Sequence, residues 1–285
     1  MNKSKMYHNG FVFPVILIFS IFFIIPMVIS FYFSLTVWNL DSVRFIGLDN
    51  FKTLLHSGPL ITGFKNTFIY IIFGSGGVTV ISFMIAVFLT SRIRTKNLLR
   101  SVVFFPNLVS SVAVGITFIA LMHPSKGMIN ALIKALGGSS ISFLGDPKIA
   151  IFSTIAVMLW KGFSIATVIY IAGITSIDPG YFEAAAIDGA HGWKKLRYIT
   201  IPLTKDSINT VLMLSVIGSF RNFDLIWALT GGGPGYATDN VASSIYKQYT
   251  LGFYGLSTAG NVILLITTAL LIFPLQRLLR GKGDE

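Results

Sequence analysis

The sequence predicts an all-α membrane protein with six transmembrane helices. Three observations carry that expectation. Only 12% of the 285 residues are charged, about half the ~25% usual for a soluble domain. Apolar residues make up 53% of the chain and are gathered in long runs, and residues 10–40 hold no charge at all. Several of these runs reach the ~20 residues that a helix rising ~1.5 Å per residue needs to cross ~30 Å of hydrocarbon.

The expected spans, in order, are 11–36, 66–90, 101–122, 149–173, 206–229 and 257–276, all within a single domain covering 1–285. The first is longer than the apolar region of a signal peptide and lacks a small-residue cleavage site, so it reads as an anchor. Six spans put both termini on one side. Of the 22 lysines and arginines, thirteen fall on that side: Lys3, Lys5, Arg92, Arg94, Lys96, Arg100, Lys194, Lys195, Arg197, Lys205, Arg277, Arg280 and Lys282. Seven fall on the opposite loops, and two, Lys161 and Arg221, fall inside spans. Short cytoplasmic loops collect cations, so the termini are expected in the cytoplasm. Topology thus accounts for the net charge of +11, and no nucleic-acid partner is needed.

The chain has no cysteine, which excludes disulfides, thiolate catalysis and cysteine metal sites. Its four histidines are far apart, without ligand spacing. No GxxxxGK[ST] nucleotide loop occurs, so no cofactor is expected on this chain. Among the outer loops, 126–138 places Met128, Leu132, Ile133 and Leu136 at helical intervals. It reads as a short surface helix ended by Gly137 and Gly138. The Gly-rich stretch 230–240 reads as an irregular outer loop.

The segment 178–203 connects spans 4 and 5 on the positive side. Asp178 and Pro179 form a helix start, with Asp as N-cap and Pro in the first turn. "YFEAAAI" favours helix strongly, and Gly189 ends it. A second helix, "WKKLRYI", is expected to run to Pro202, which opens the next span. Ala184, Ala185 and Ala186 give this helix–turn–helix a small surface that another protein can approach closely, flanked by Glu183 and Asp188.

Ionisable groups at membrane depth need a partner or water, since each costs ~2.5–3.5 kcal/mol on insertion scales. Lys161 lies near the middle of span 4, and Arg221, Asn222 and Asp224 lie in span 5. Arg221 and Asp224 are three apart and are placed to pair on a helix. Ser215, Gly218, Ser219 and Asn222 form one stripe, suited either to close helix packing or to a cavity wall whose hydroxyl and amide groups both donate and accept. Trp160 and Trp227 are candidates for stacking on sugar rings or for interfacial anchoring.

"EAA" at 183–185, Gly189, Ile199 and Pro202 resemble the EAA loop of permease subunits of binding-protein-dependent ABC importers. Ile201 stands where that family usually has Leu. "YFEAAAIDGA", "FIGLDNF" (45–51), "NTFIY" (66–70), "FFPNLVSSVAVG" (104–115) and "FDLIWALTGGGPGYAT" (223–238) are similar to the carbohydrate branch, so the resemblance covers nearly the whole chain. It implies a type I ABC importer transmembrane domain, in which the helix carrying Glu183, Ala184, Ala185, Asp188 and Gly189 inserts into a groove on an ATPase. It also implies a second homologous permease subunit, forming a heterodimer, two ATP-binding subunits that hold ATP and Mg, and an extracytoplasmic solute-binding protein facing loops 37–62, 123–148 and 230–255. The site would be the bacterial cytoplasmic membrane. Alignment to maltose-type permeases carries sugar contacts onto Gly162, Ser215, Ser219 and Asn222, with Ser219 and Ile165 departing from those relatives.

The leading expectation is therefore a transporter subunit, not an enzyme, moving a carbohydrate such as an oligosaccharide. Import of glycerol phosphate, with Lys161 and Arg221 serving the anion, is the first alternative. A secondary transporter would not need the EAA loop. A membrane transferase would need a catalytic cluster, and the scattered Asp and His form none.

Overall fold

The structure, a computed structural model, describes residues 12–39, 42–91 and 93–280, the side chain of Arg280 excepted. Residue 11 of the first expected span and the cations Lys3, Lys5, Arg92 and Lys282 lie outside the described residues.

In chain order, α1 (Phe13–Ser34) leads into a hairpin of β1 (Thr36–Trp38) and β2 (Val43–Phe45), then α2 (Asp49–Leu55). The long α3 (Gly58–Thr90) follows, then α4 (Lys96–Leu108), α5 (Ser111–Leu121), α6 (Met128–Ala135), α7 (Ala150–Thr175) and α8 (Pro179–Ile187). After these come α9 (193–203), α10 (Lys205–Arg221), α11 (Asp224–Thr230), α12 (Val241–Thr250) and α13 (Tyr254–Arg280). Among the described residues, four helices are each long and apolar enough to cross a bilayer unbroken: α1, α3, α7 and α13. The other two spans are broken pairs, α4 with α5 bent by 99° and α10 with α11 bent by 49°.

Both breaks fall within expected spans, 101–122 and 206–229, each of which is two helices here, and both have local causes. In the third span Pro106 removes a backbone donor. Val109 is extended, and Ser110 Oγ accepts from the N–H of Ala113 at 3.2 Å, capping a new helix. In the fifth span Asn222 leaves helical geometry (φ −75°, ψ 66°). Its carbonyl instead accepts from Nδ2 of Asn240 at 2.9 Å.

Backbone packing divides the chain into two compact units. One ends at Ser57 and takes in Ile245–Ile266. Its hairpin pairs antiparallel, Val37 opposite Arg44. Asn50 Nδ2 secures the strand by donating to the carbonyls of Ser34 (2.9 Å) and Thr36 (2.8 Å). Trp38 stacks on Phe33 (4.2 Å between centroids) and lies 5.3 Å from Tyr254. The apolar side chains of α1, from Phe13 to Tyr32, are exposed along most of the helix, as suits a helix solvated by lipid.

The other unit runs from Gly58 to Ser244 and resumes at Thr267. Its core is the crossing of α3 and α7, where glycines let the backbones approach. A Cβ on Gly77 would lie 2.6 Å from Leu159 Cδ2, and one on Gly162 would lie 2.9 Å from Val78 Cγ2. Val78, Ala86, Ala166, Tyr170, Ile174 and Val211 form the main apolar cluster. Hydroxyls add interhelical bonds: Tyr70 Oη to Thr154 Oγ1 at 2.7 Å, and Ser75 Oγ to Ser219 Oγ at 2.8 Å.

The Gly-rich loop is irregular but largely buried. Gly231, Gly232 and Gly235 have positive φ, and Thr238, Asp239 and Asn240 are fully buried. Asn66 Nδ2 lies within hydrogen-bonding distance of the carbonyls of Tyr236 (3.1 Å), Ala237 (3.1 Å) and Asp239 (2.8 Å). The centre of 230–255 is thus packed against the rest of this unit. In α6, Met128, Leu132 and Leu136 are exposed along one side, while Asn130 is buried and bonded to the carbonyl and N–H of Ile141 at 3.0 and 2.8 Å. Gly137 (φ 85°) ends this helix.

The glycine at the α5–α11 contact gives a stability prediction. A Cβ on Gly115 would sit 2.5 Å from Ala228 Cβ, so Gly115→Leu must push two helices apart. We expect a loss of about 1–3 kcal/mol, the usual scale of overpacking, read as a lower thermal midpoint in detergent. An unchanged midpoint would mean that this contact is not tight.

Candidate functional site

Two features stand out in the second unit: a cavity between spans and the helix–turn–helix at 178–203. The cavity has a volume of about 380 Å³ and is lined by α3, α4, α5, α7, α10 and α11. Its polar lining comes from Lys161 on α7, Ser215 on α10, Asn222 just past the end of α10, and Asn107 and Ser111 beside the break of the third span. Gly162 and Gly218 also line it, and Gly218 leaves space open. A Cβ on Gly218 would meet nothing within 4 Å.

The break of the third span explains the lysine. Ending α4 leaves the carbonyl of Val109 without an intrahelical partner, a costly state at membrane depth. Lys161 Nζ donates to that carbonyl. The cation is thereby fixed to the cavity wall, and among the described residues lining the cavity there is no carboxylate. Asn222 Nδ2 is buried at the cavity wall and, among the described residues, has no hydrogen-bond partner, an unmet donor that a small side-chain rotation would offer to an acceptor. The site is therefore mostly apolar, with a few convergent groups that donate or accept, and its volume falls within the ~300–1,000 Å³ of small-molecule sites.

Of the residues expected on the substrate path, Lys161, Gly162, Ser215 and Asn222 meet here. The other three do not. Ser219 is fully buried and faces α3, bonded to Ser75. Arg221 and Asp224 are both exposed and form no ion pair with each other, because the helix breaks between them. Asn107 and Ser111 were missed as lining residues; the signal for them is Pro-Asn followed by Ser-Ser inside an apolar run. Neither tryptophan lines the cavity: Trp160 meets Phe118 edge-on at 5.3 Å and Trp227 stacks on Phe223 at 5.5 Å.

At the loop, Asp178 Oδ1 accepts from the N–H of Gly180 at 2.8 Å and starts α8. The helix ends in a Schellman motif: the N–H of Ala190 reaches the carbonyl of Ala185 (2.8 Å), and that of Gly189 reaches Ala186 (3.2 Å). Gly189 takes φ 70° there, and Gly192, at φ 55° and ψ −118°, redirects the chain into α9. An L side chain strains either position. Lys195 Nζ sits 4.6 Å over the Phe182 ring, a cation–π contact joining the two helices.

Glu183, Ala184, Asp188 and Gly189 are exposed together. Ala185 is not: it is 4% exposed and turned inward, about 100° around the helix from Ala184. The open surface instead gains Tyr181 and Ile187, the latter 88% exposed. Ile199 is half-buried and Pro202 is exposed. Pro202 lies inside α9, behind a wide turn at Leu196–Thr200, and the fifth span begins only at Lys205. Proline removes one backbone donor, and the wider turn accommodates that loss. Among the described residues no group of three His, Cys, Asp or Glu is placed to hold a metal.

Comparison with known proteins points the same way. A family model described as binding-protein-dependent transport system inner membrane component matches residues 78–282. A probable ABC transporter permease protein of Pyrococcus horikoshii is 32% identical over 270 residues, covering 93% of this chain and 92% of that protein. The trehalose/maltose transport system permease protein of Thermococcus litoralis is 31% identical, covering 88% and 85%. The arabinooligosaccharides transport system permease protein of Bacillus subtilis is 28% identical, covering 95% and 88%. The fold matches a chain in the crystal structure of a bacterial ABC transporter that imports the acidic polysaccharide alginate, with a TM-score of 0.83, 24% identity, and 97% and 96% coverage.

Proposed function

The chain belongs to the binding-protein-dependent transport system inner membrane components, and from that premise we propose that it is the subunit through which an ATP-driven importer passes an oligosaccharide. It is a membrane transporter subunit, not an enzyme. Hydrolysis falls to two separate ATP-binding subunits, which hold the ATP and Mg, and this chain needs no cofactor of its own. A second, homologous permease completes the path. The exposed face of α8 enters a groove on one ATPase, and Gly189 lets the chain turn back below it. Both termini then lie in the cytoplasm, and the solute-binding protein delivers substrate from the other side. Ile199 and Pro202 belong to the frame of α9 rather than to the contact face.

The cavity carries the substrate reading. Its amides and hydroxyls suit a neutral polyol, and the relatives in Thermococcus litoralis and Bacillus subtilis are permeases of trehalose/maltose and arabinooligosaccharide transport systems. The test is uptake into proteoliposomes holding the chain, its partner permease and the ATPase. Accumulation of a neutral oligosaccharide on addition of the loaded binding protein and ATP is expected; accumulation of none from a broad panel would sink the reading.

One observation favours a second reading. The uncompensated charge of Lys161 on the cavity wall would also suit a phosphate ester or an acidic sugar. Lys161→Met and Lys161→Arg separate the two. If Lys161 clamps the bend at Val109, Lys161→Met lowers neutral-sugar uptake about tenfold and Lys161→Arg restores most of it, as expected for a charge-assisted hydrogen bond worth ~1.5–3 kcal/mol. If the substrate is anionic, only uptake of the phosphate ester or uronate collapses.

A further inference from the structure

The exposed face of α10 carries Asp206, Thr210, Leu214 and Gly218 at four-residue spacing, and Asn222 follows just past the end of the helix. All but Asn222 are exposed, and Asn222 is partly so. Asp, Thr and Asn on an open helix face do not suit lipid, so this face borders water or protein. A single large apolar side chain, Leu214, interrupts the polar row.

Two cavities lie along that row. The first, toward Asn222, is the 380 Å³ site described above. The second, about 800 Å³, lies toward Asp206, between α10 and the end of α13, where Asn209 Nδ2 donates to the carbonyl of Leu279 at 3.0 Å. Its lining includes Lys205, Asp206, Thr210 and Gln276, groups that hydrate readily and hold a polyol only through exchangeable hydrogen bonds. Leu214 lines both cavities and is 53% exposed.

We propose that Leu214 is the barrier on the substrate path, dividing the central carbohydrate site from a cytoplasmic release vestibule formed by α10 and the end of α13. This rests on the substrate path and orientation given under Proposed function. Once the proposed partner permease covers this face, an isobutyl side chain between the two cavities excludes water and hydrated solute by dewetting, as hydrophobic constrictions do in channels. The vestibule's larger volume and mixed polar lining suit rehydration of the sugar after it passes. Leu214 acts on the route and not by binding, so its removal should change passage more than affinity.

The absence of cysteine from the chain allows a direct test in the assembled importer. Thr210→Cys, on the vestibule side, and Gly218→Cys, on the cavity side, each become the only thiol of this chain. A membrane-impermeant methanethiosulfonate reagent is applied at the cytoplasmic face, with nucleotide absent and with ATP trapped. Thr210→Cys is expected to react about tenfold or more faster than Gly218→Cys in at least one of these states, a difference in barrier of ~1.4 kcal/mol or more. Leu214→Ala should abolish that difference in the same state, and Leu214→Ser serves if the alanine variant does not assemble. Equal reactivity of the two cysteines in both states, or protection that survives Leu214→Ala and Leu214→Ser, would overturn the proposal, as would a Thr210→Cys that reacts only from the opposite face. Labelling needs no sugar. A wrong substrate assignment therefore appears separately, as absence of ATP-driven oligosaccharide uptake by the unaltered complex.

Discussion

Gly189→Trp is expected to release the ATPase. The position is exposed, and a Cβ there would touch nothing within 4 Å of this chain. The folded permease should therefore survive the change. Two effects still act at once. The backbone at φ 70° costs an L residue about 1–2 kcal/mol, which loosens the Schellman turn that ends α8. The indole then projects beside Glu183, Ala184, Ile187 and Asp188, where the proposed ATPase groove must close. Loss of a well-packed contact of this kind is worth ~2 kcal/mol or more, so co-purification of the ATPase should fall at least ~30-fold. Gly189→Ala introduces the strain without the bulk and should fall between. The measurement is ATPase recovered per permease after affinity capture, with the thermal midpoint of the permease as a control. Undiminished recovery and uptake in Gly189→Trp would remove the loop from the contact.

Gly218→Trp should block transport while leaving the ATPase bound. Gly218 lines the central cavity, and the space beyond its Cα is empty to 4 Å. An indole placed there occupies the site that Lys161, Ser215 and Asn222 surround. Uptake should drop by about 100-fold, equivalent to ~2.7 kcal/mol of lost transition through the site, with assembly and basal ATP hydrolysis retained. Gly162 is a poorer choice for this test. A Cβ there would meet Val78 Cγ2 at 2.9 Å, so packing damage and occlusion would be mixed. If sugar uptake by Gly218→Trp stays near the level of the unaltered complex, this cavity is not on the path.

Much of this architecture is legible in the residues, and the misses are physically specific. Long apolar runs mark all six spans because hydropathy needs no knowledge of neighbours. Averaging the same runs hides the break at Val109 and Ser110, whose only local marks are Pro106 and a capping serine. Helical periodicity places Ser215, Gly218 and Asn222 on one face. It cannot separate Ser219 from them, since that residue's direction is decided by Ser75, far away in the chain. The same limit applies to the Gly-rich loop. Nothing within 230–240 announces that Asn66 will gather three of its carbonyls. In the loop after span 4, Gly189 declares the turn through its own chemistry. The inward rotation of Ala185 depends instead on what lies behind the helix. Lys161 is visible as an anomaly in an apolar span, but its partner carbonyl appears only once the third span is known to break.

If energy reaches this chain by contact from a separate ATPase, substrate moves only while that ATPase turns over. The most direct measurement is uptake into proteoliposomes containing the permease pair with either an active ATPase or one carrying a substitution that abolishes hydrolysis, with the loaded solute-binding protein outside. Accumulation against a gradient is predicted only with the active ATPase, and only with ATP on its side of the membrane. Accumulation of equal extent with the inactive ATPase, driven by an ion gradient instead, would contradict the account.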